Sequence, residues 1–503
     1  MKKTIEACIV LAILVAVSIT AATYVHRSGW TLYYGDAEAH LNIARRIVDS
    51  RTPGYDQIGT SWLPLPHLLT LPFIRNDSWW RNGLAGTIPS ATCFVIAGVL
   101  LFAAMRRVTQ SLPAACTALG LFVLNPNLLY LQSTPMTEPV LLAGLMALLY
   151  FTILFRDTQS FVAVLGAGIA SLVASLARYE GWFLIPFATA YFLFAARRWQ
   201  MRLLAAAVFG TIASLGPLYW LGHNWWLYNN PLEFYNGPYS AKAIYQKSGS
   251  YPGNHDWHKA WLFFRTAAVM CAGWGVIIVA AAGLVGCIVR RTIWPALLLS
   301  LPSAFYLWSM YSGGAAIFVP QLWYGSYYNT RYGLAPLPMF AVAGAGIVLL
   351  FRGRWRAVAA AVAVLASTIP WLIQPQPETW ICWKESQVNS NARRIWTREA
   401  EHFLADQYRP GAGIFTSFGD LTGILREAGI PLRDALHDGN EPAWMAATTR
   451  PDLFLHEEWA VAFSGDPVAT AVEHASFKTG PRYHLVKCIM LKDSPVIEIY
   501  KRD

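Results

Sequence analysis

Long apolar runs separated by short polar gaps dominate this chain. A straight helix needs roughly 20 apolar residues to cross a bilayer's hydrocarbon. Runs approaching that length fall near 4–24, 84–105, 112–130, 139–155, 161–177, 182–196, 203–221, 261–289, 293–311, 333–351 and 357–373. They predict a mainly α, polytopic transmembrane helical bundle of about 11 spans. The first run has the length of a signal peptide. No small-residue cleavage site precedes Tyr24-Val25-His26-Arg27, so it reads as a retained helix.

The longer gaps carry their own patterns. Within 25–83, residues 36–49 place Leu41, Ala44, Ile47 and Val48 on one helical face, which predicts a short helix lying along the membrane interface. The prolines and tryptophan of Thr60-Ser61-Trp62-Leu63-Pro64-Leu65-Pro66-His67 predict an irregular turn anchored there. Segment 222–260 is dense in Trp, Tyr, Asn, Gly and Pro, an aromatic content that argues against disorder. After Pro375 the pattern becomes that of a soluble domain, with helices over 393–408 and 420–428 and strands over 413–417, 452–455, 483–490 and 495–500. We therefore expect a membrane domain over 1–373 and a small α/β domain over 374–503, about 130 residues being enough for one.

Composition agrees: 55% of residues are hydrophobic and 14% charged, against about 25% charged in soluble proteins. Charge then orients the bundle. Alternate gaps hold Lys2, Lys3, Arg106, Arg107, Arg156, Arg197, Arg198, Arg202, Arg290, Arg291, Arg352, Arg354 and Arg356, against only Glu6 and Asp157. The positive-inside rule puts that side, with the N-terminus, in the cytoplasm and residues after 374 outside. The net charge of +10 is thus topological and does not argue for nucleic acid. Seven cysteines show no metal-binding spacing. Five fall in apolar runs as packing residues, and Cys382 and Cys488 fall in the exported tail, where a disulfide is permitted.

Candidate chemistry gathers on the outer side. Asp36 follows the first run directly, and a carboxylate there suits a general base acting on a hydroxyl; the plainer role is a helix cap. Asp36 and His40 share a helical face and Glu38 points elsewhere. Glu138 opens the turn after the third run, where an acid also complements a helix N-terminus. Arg178-Tyr179-Glu180 forms a third charged outer turn, either an internal ion pair or part of a shared polar cavity. Asn329-Thr330-Arg331-Tyr332 opens the tenth run, and arginine suits bidentate phosphate binding, with snorkelling as its alternative. Lys242 and Lys247 are further anion candidates, and His40 with His67 could join the acids around a divalent metal. The tail contains no phosphate-binding glycine loop and no nucleophile elbow.

Gly35-Asp36-Ala37-Glu38, the acidic turn at Glu138 and the Arg331-Tyr332-x-Leu334-x-Pro336-x-Pro338 pattern together resemble the GT-C membrane glycosyltransferases. The likeness is to bacterial relatives of protein O-mannosyltransferases and lipid A aminoarabinose transferases, and it covers about residues 1–373. It implies a polyprenyl-phosphate sugar donor, the periplasmic face of a bacterial inner membrane, and no required cofactor. Carried over, Asp36 corresponds to the acid that activates the acceptor, Glu138 to a second acidic position and Arg331 to a residue near the donor phosphate. Asn329, Tyr332, Arg178, Glu180, His40, His67 and Lys242 become substrate-binding candidates, and Glu38 a second catalytic candidate. An Asp-x-Asp motif is missing, which disfavours a metal-dependent oligosaccharyltransferase. A transporter or lipid flippase remains the rival, although acids at helix ends on one face, without internal repeats, differ from the midplane sites of transporters.

Overall fold

The structure, a computed structural model, describes residues 2–247, 251–374, 379–477 and 480–503. The composition change at Pro375 and the Lys247 side chain lie outside the described residues. Contacts divide the chain into two compact units, one of Met1–Trp30, Thr60–Pro66 and Thr87–Glu385, the other of Thr31–Gly59, His67–Gly86 and Ser386–Asp503.

The first unit is helical. Among the described residues, six helices are long and apolar enough to cross a membrane: Ile5–Arg27, Leu84–Thr109, Glu138–Thr158, Trp199–Tyr228, Thr330–Leu350 and Trp355–Ile373. Two bent pairs raise the number to eight if each is one span. The protein is thus a multi-pass membrane protein, and these criteria stop short of eleven. Phe161–Ala177 and Glu180–Ala195, two of the expected spans, are apolar helices shorter than 18 residues.

The bends have local causes. The run at 112–130 breaks by 67° between Leu112–Val123 and Pro126–Gln132. There Asn125 caps the second helix, accepting from the backbone N–H groups of Asn127 and Leu128, and Pro126 occupies the first turn. The run at 261–289 breaks by 101° between Trp257–Ala272 and Trp274–Val289, where Gly273 has φ +81°, a conformation glycine adopts freely. Each break helps satisfy the other: the side-chain amides of Asn125 and Asn127 donate to the Cys271 carbonyl at 2.8 and 3.0 Å. Broken backbone at membrane depth is tolerated under that condition. Small residues then allow helices to touch. A Cβ on Gly286 would lie 1.9 Å from the Gly346 carbonyl oxygen, so that crossing admits no side chain.

The second unit is built on a five-stranded sheet: β1 (Ile414–Thr416), β2 (Ala435–Leu436), β3 (Trp459–Phe463), β4 (Tyr483–Ile489) and β5 (Ile497–Arg502), in the order β2-β1-β3-β5-β4. β1 pairs in parallel with β2 and β3; β5 runs antiparallel to β3 and β4. Strand alternation sorts the two faces. Ile414, Trp459, Val461, Ile497 and Ile499 pack with Trp396, Ala400 and Leu404 of helix Ile381–Ala405 and with Leu41 and Ala44 of helix Gly35–Val48. On the other face Phe415, Ala460 and Ala462 meet Val468, Ala471 and Val472 of helix Pro467–Phe477.

Two expectations need correcting, and the state of two cysteines is now defined. Residues 452–455 are not a strand; Pro451 begins a helical turn, Pro451–Phe454, as proline's fixed φ favours. The strand instead forms at Trp459–Phe463. Leu41 and Ala44 are fully buried in a protein core, so this helix face packs on the sheet. Cys382 and Cys488 are both free thiols, the first buried and the second exposed; the Cys382 amide donates to the Asn127 side chain at 2.9 Å, deep within the helical unit.

Buried in the second unit, His437 accepts a hydrogen bond from the Gly439 amide at Nδ1. Burial, then the charges of Arg46 and Arg51, lower its pKa to about 3 from 6.5. The unfolded chain therefore binds a proton that the folded one refuses between those values. Stability is full above about pH 6.5 and falls as pH drops toward 3, by roughly 1.4 kcal/mol per unit. Thermal unfolding followed by tryptophan fluorescence from pH 7 to 4 should show this loss, and His437→Asn should flatten the slope.

Candidate active site

In the helical unit, Glu138, Glu180, Arg178, Arg331 and Glu385 form one buried cluster. Glu138 and Glu180 each open a helix, Glu138–Thr158 and Glu180–Ala195, where the dipole favours an acid. Arg178 donates to Glu180 at 2.8 Å, to Glu138 at 3.0 Å, to the Thr137 hydroxyl at 2.7 Å and to the Tyr306 hydroxyl at 2.9 Å. Tyr306 in turn donates to Glu180. Arg331 donates to Glu138 and to Glu385, both at 3.2 Å.

Glu385 fixes the turn that carries Arg331. Its carboxylate accepts from the Asn329 and Thr330 amides at 3.0 and 2.6 Å and from the Thr330 hydroxyl. Asn329 takes a left-handed conformation, φ +52°, which asparagine tolerates better than most residues. Its side-chain amide donates to the Tyr245 hydroxyl and the Ala316 carbonyl. Tyr332 stacks on Tyr306, ring centroids 4.4 Å apart. Asn329 and Tyr332 thus brace the cluster, and Arg331 is a committed partner of two carboxylates.

Glu138, Glu180 and Arg331 of this cluster also line a cavity. Tyr306 and Tyr332 join them, and Leu128, Leu141, Leu142, Leu145, Pro302, Leu334 and Ala335 complete the lining. The lining thus combines ionisable and apolar side chains, as ligand sites do.

The second unit holds the other acids. Asp36 lies half-buried in the first turn of helix Gly35–Val48. The N-cap is Tyr34, without a side-chain cap, so Asp36 is not the cap. Glu38 is 6% exposed, and its two oxygens pair with Arg393 at 3.1 Å and Arg426 at 2.8 Å. Arg393 also donates to the carbonyls of Leu32 and Tyr33 at 3.3 and 2.9 Å, and Arg394 lies over the Tyr33 ring at 4.1 Å. This brace fixes the backbone entering Asp36. Gly35 fits because a Cβ there would lie 2.7 Å from Arg393. Asp420, following β1, feels the charges of both Glu38 and Asp36.

The remaining candidates disperse. His40 and His67 hydrogen-bond to each other, Nδ1 to Nε2, at 3.0 Å and are buried. Among the described residues no three His, Cys, Asp or Glu side chains group to hold a metal. Lys242 lies over the Tyr235 ring at 4.8 Å and takes no part in the cluster. Sequence reasoning missed Glu385, Tyr306 and Arg393. A Glu in a stretch assigned to the tail gave no sign of its partners, whereas the adjacent Arg393-Arg394 pair was at least a visible charge feature.

No family model and no curated protein sequence matches the chain. Among solved structures, ArnT from Cupriavidus metallidurans bound to undecaprenyl phosphate superposes with a TM-score of 0.57 and 13% identity, over 96% of this chain and 97% of that one. Its apo state gives 0.56 and 13% over the same shares. Both are GT-C structures. The chain has the GT-C fold. The Archaeoglobus fulgidus oligosaccharyltransferase in its apo form matches at a TM-score of 0.48 and 12% identity, over 91% of this chain and 69% of that one. A GT-C fold is a scaffold, and the chemistry done on it depends on the site residues.

Proposed function

We propose that this protein is a membrane glycosyltransferase that moves a sugar from a polyprenyl-phosphate donor to an acceptor hydroxyl. It would act at the periplasmic face of a bacterial inner membrane, with its N-terminus in the cytoplasm. The observation that carries this reading is the cavity whose lining divides into leucines and the charged Glu138, Glu180 and Arg331. A lipid-linked sugar phosphate has that same division into apolar chain and polar head. The ArnT structure bound to undecaprenyl phosphate supports the ligand class through a shared fold.

In this mechanism the acceptor oxygen attacks the anomeric carbon. The carbon–oxygen bond to the donor phosphate breaks and its electron pair leaves with the phosphate. Asp36 takes the acceptor proton as general base, and one displacement with one base implies inversion. Arg331 stabilises the departing phosphate. It is preorganised for this because Glu385 fixes the Asn329 and Thr330 amides of the turn that carries it, together with one guanidinium nitrogen. Glu38, with both oxygens held by arginines, positions the helix that carries Asp36.

The test is purified protein given undecaprenyl-phosphate sugars with labelled sugar, together with envelope acceptors. Transfer of label with release of undecaprenyl phosphate is expected. Movement of intact donor across vesicles without cleavage would favour the flippase reading.

A further inference from the structure

Resting on that reading, we infer that Glu138 reads the sugar of the donor, its Oε2 accepting a hydrogen bond from a hydroxyl or ammonium group on the ring. Glu138 is 8% exposed. Its Oε1 is fully used, accepting from Arg178 at 3.0 Å and Arg331 at 3.2 Å. Its Oε2 is buried and has no hydrogen-bond partner among the described residues, while the side chain lines the cavity. Buried carboxylate oxygens are costly to leave unmatched, and one facing a ligand chamber is matched when the ligand supplies a donor.

Charge decides which part of the ligand supplies it. The cluster holds Glu138, Glu180 and Glu385 against Arg178 and Arg331, so carboxylates outnumber guanidiniums. A phosphate oxygen set against Oε2 meets like charge, whereas a sugar hydroxyl or ammonium donates to it. The group set against Oε2 is therefore the ring and not the phosphate. A site built to bond a ligand hydroxyl also rejects an analogue lacking it far more strongly than an apolar pocket rejects a missing methylene. Glu138 is in this sense a specificity-determining residue, distinct from the base.

The experiment compares native protein with Glu138→Gln. Binding is measured for bare undecaprenyl phosphate and for undecaprenyl-phosphate mannose, glucose and galactose. The variant keeps an oxygen for the arginines and replaces the outward acceptor by an amide. It should bind the bare lipid phosphate as well as native protein or better, and lose about tenfold or more for at least one sugar-bearing donor. A loss no greater for any sugar than for the bare lipid overturns the inference. If bare undecaprenyl phosphate fails to bind native protein, the lipid-phosphate reading falls and takes this inference with it. A second arm needs no mutation. On native protein, replacing the ring hydroxyls of the best-binding donor one at a time by hydrogen should reveal one position that costs tenfold or more. Uniformly small losses at every position would also overturn it.

Discussion

Asp36→Asn should lower sugar transfer by about 100-fold or more while the protein keeps its fold. That figure is the lower end of what a general base contributes. The swap preserves size and polarity and removes only the ability to accept a proton. Stability should hold because the backbone entering Asp36 is held by other groups. Arg393 grips the preceding carbonyls, and Glu38 carries the ion pairs with Arg393 and Arg426. Donor binding should stay close to native, so the defect should appear in kcat and at saturating donor. Single-turnover transfer with labelled undecaprenyl-phosphate sugar separates the two. Near-native turnover in the variant would remove Asp36 from the mechanism. Glu38→Gln makes a useful contrast: it breaks a buried ion pair and should lower thermal stability along with activity.

Arg331→Ala should weaken donor binding by about 10-fold to 100-fold and affect the acceptor much less. A charge-assisted bond to phosphate accounts for roughly 1.5–3 kcal/mol of that. The same change leaves Glu138 and Glu385 without their shared partner inside a buried cluster. Breaking such a pair costs roughly 3–5 kcal/mol, so the melting temperature should also fall. Arg331→Lys should restore charge without restoring affinity, because an ammonium cannot reproduce a planar fork reaching two carboxylates. The informative measurement is undecaprenyl phosphate binding on the folded fraction of each variant. Equal affinity in native and Arg331→Ala protein would exclude a phosphate role and leave Arg331 as an internal brace.

How far the site was legible in the chain depended on the range of the interactions involved. Hydropathy marked helix Phe161–Ala177 to the residue and came within a few positions of Leu84–Thr109 and Glu138–Thr158. It ran straight through Gly273, because an apolar run carries no record of the φ that a glycine in it adopts. Asp36, Glu138, Arg178, Glu180 and Arg331 stood out as ionisable groups at the ends of apolar runs. What they bind did not: Arg331 reaches Glu138 across 193 positions and Glu385 across 54. Glu38 stood out as a second acid, but nothing local announced that Arg393 and Arg426 hold its oxygens. The tail's parallel strand Trp459–Phe463 was overlooked because a five-residue apolar run bears no period that separates strand from helix.

By itself the sequence determined that this is a multi-pass membrane protein with an α/β portion toward its C-terminus, since the partition of a segment between water and lipid follows from its own side chains. Only the tertiary structure decided that segments of the first loop join the tail in one compact unit, and which acids are consumed by arginines. It also decided that Glu138 lines a cavity with one oxygen left without a hydrogen-bond partner among the described residues. Ion pairing and cavity lining arise from residues brought together by folding, so no local pattern encodes them.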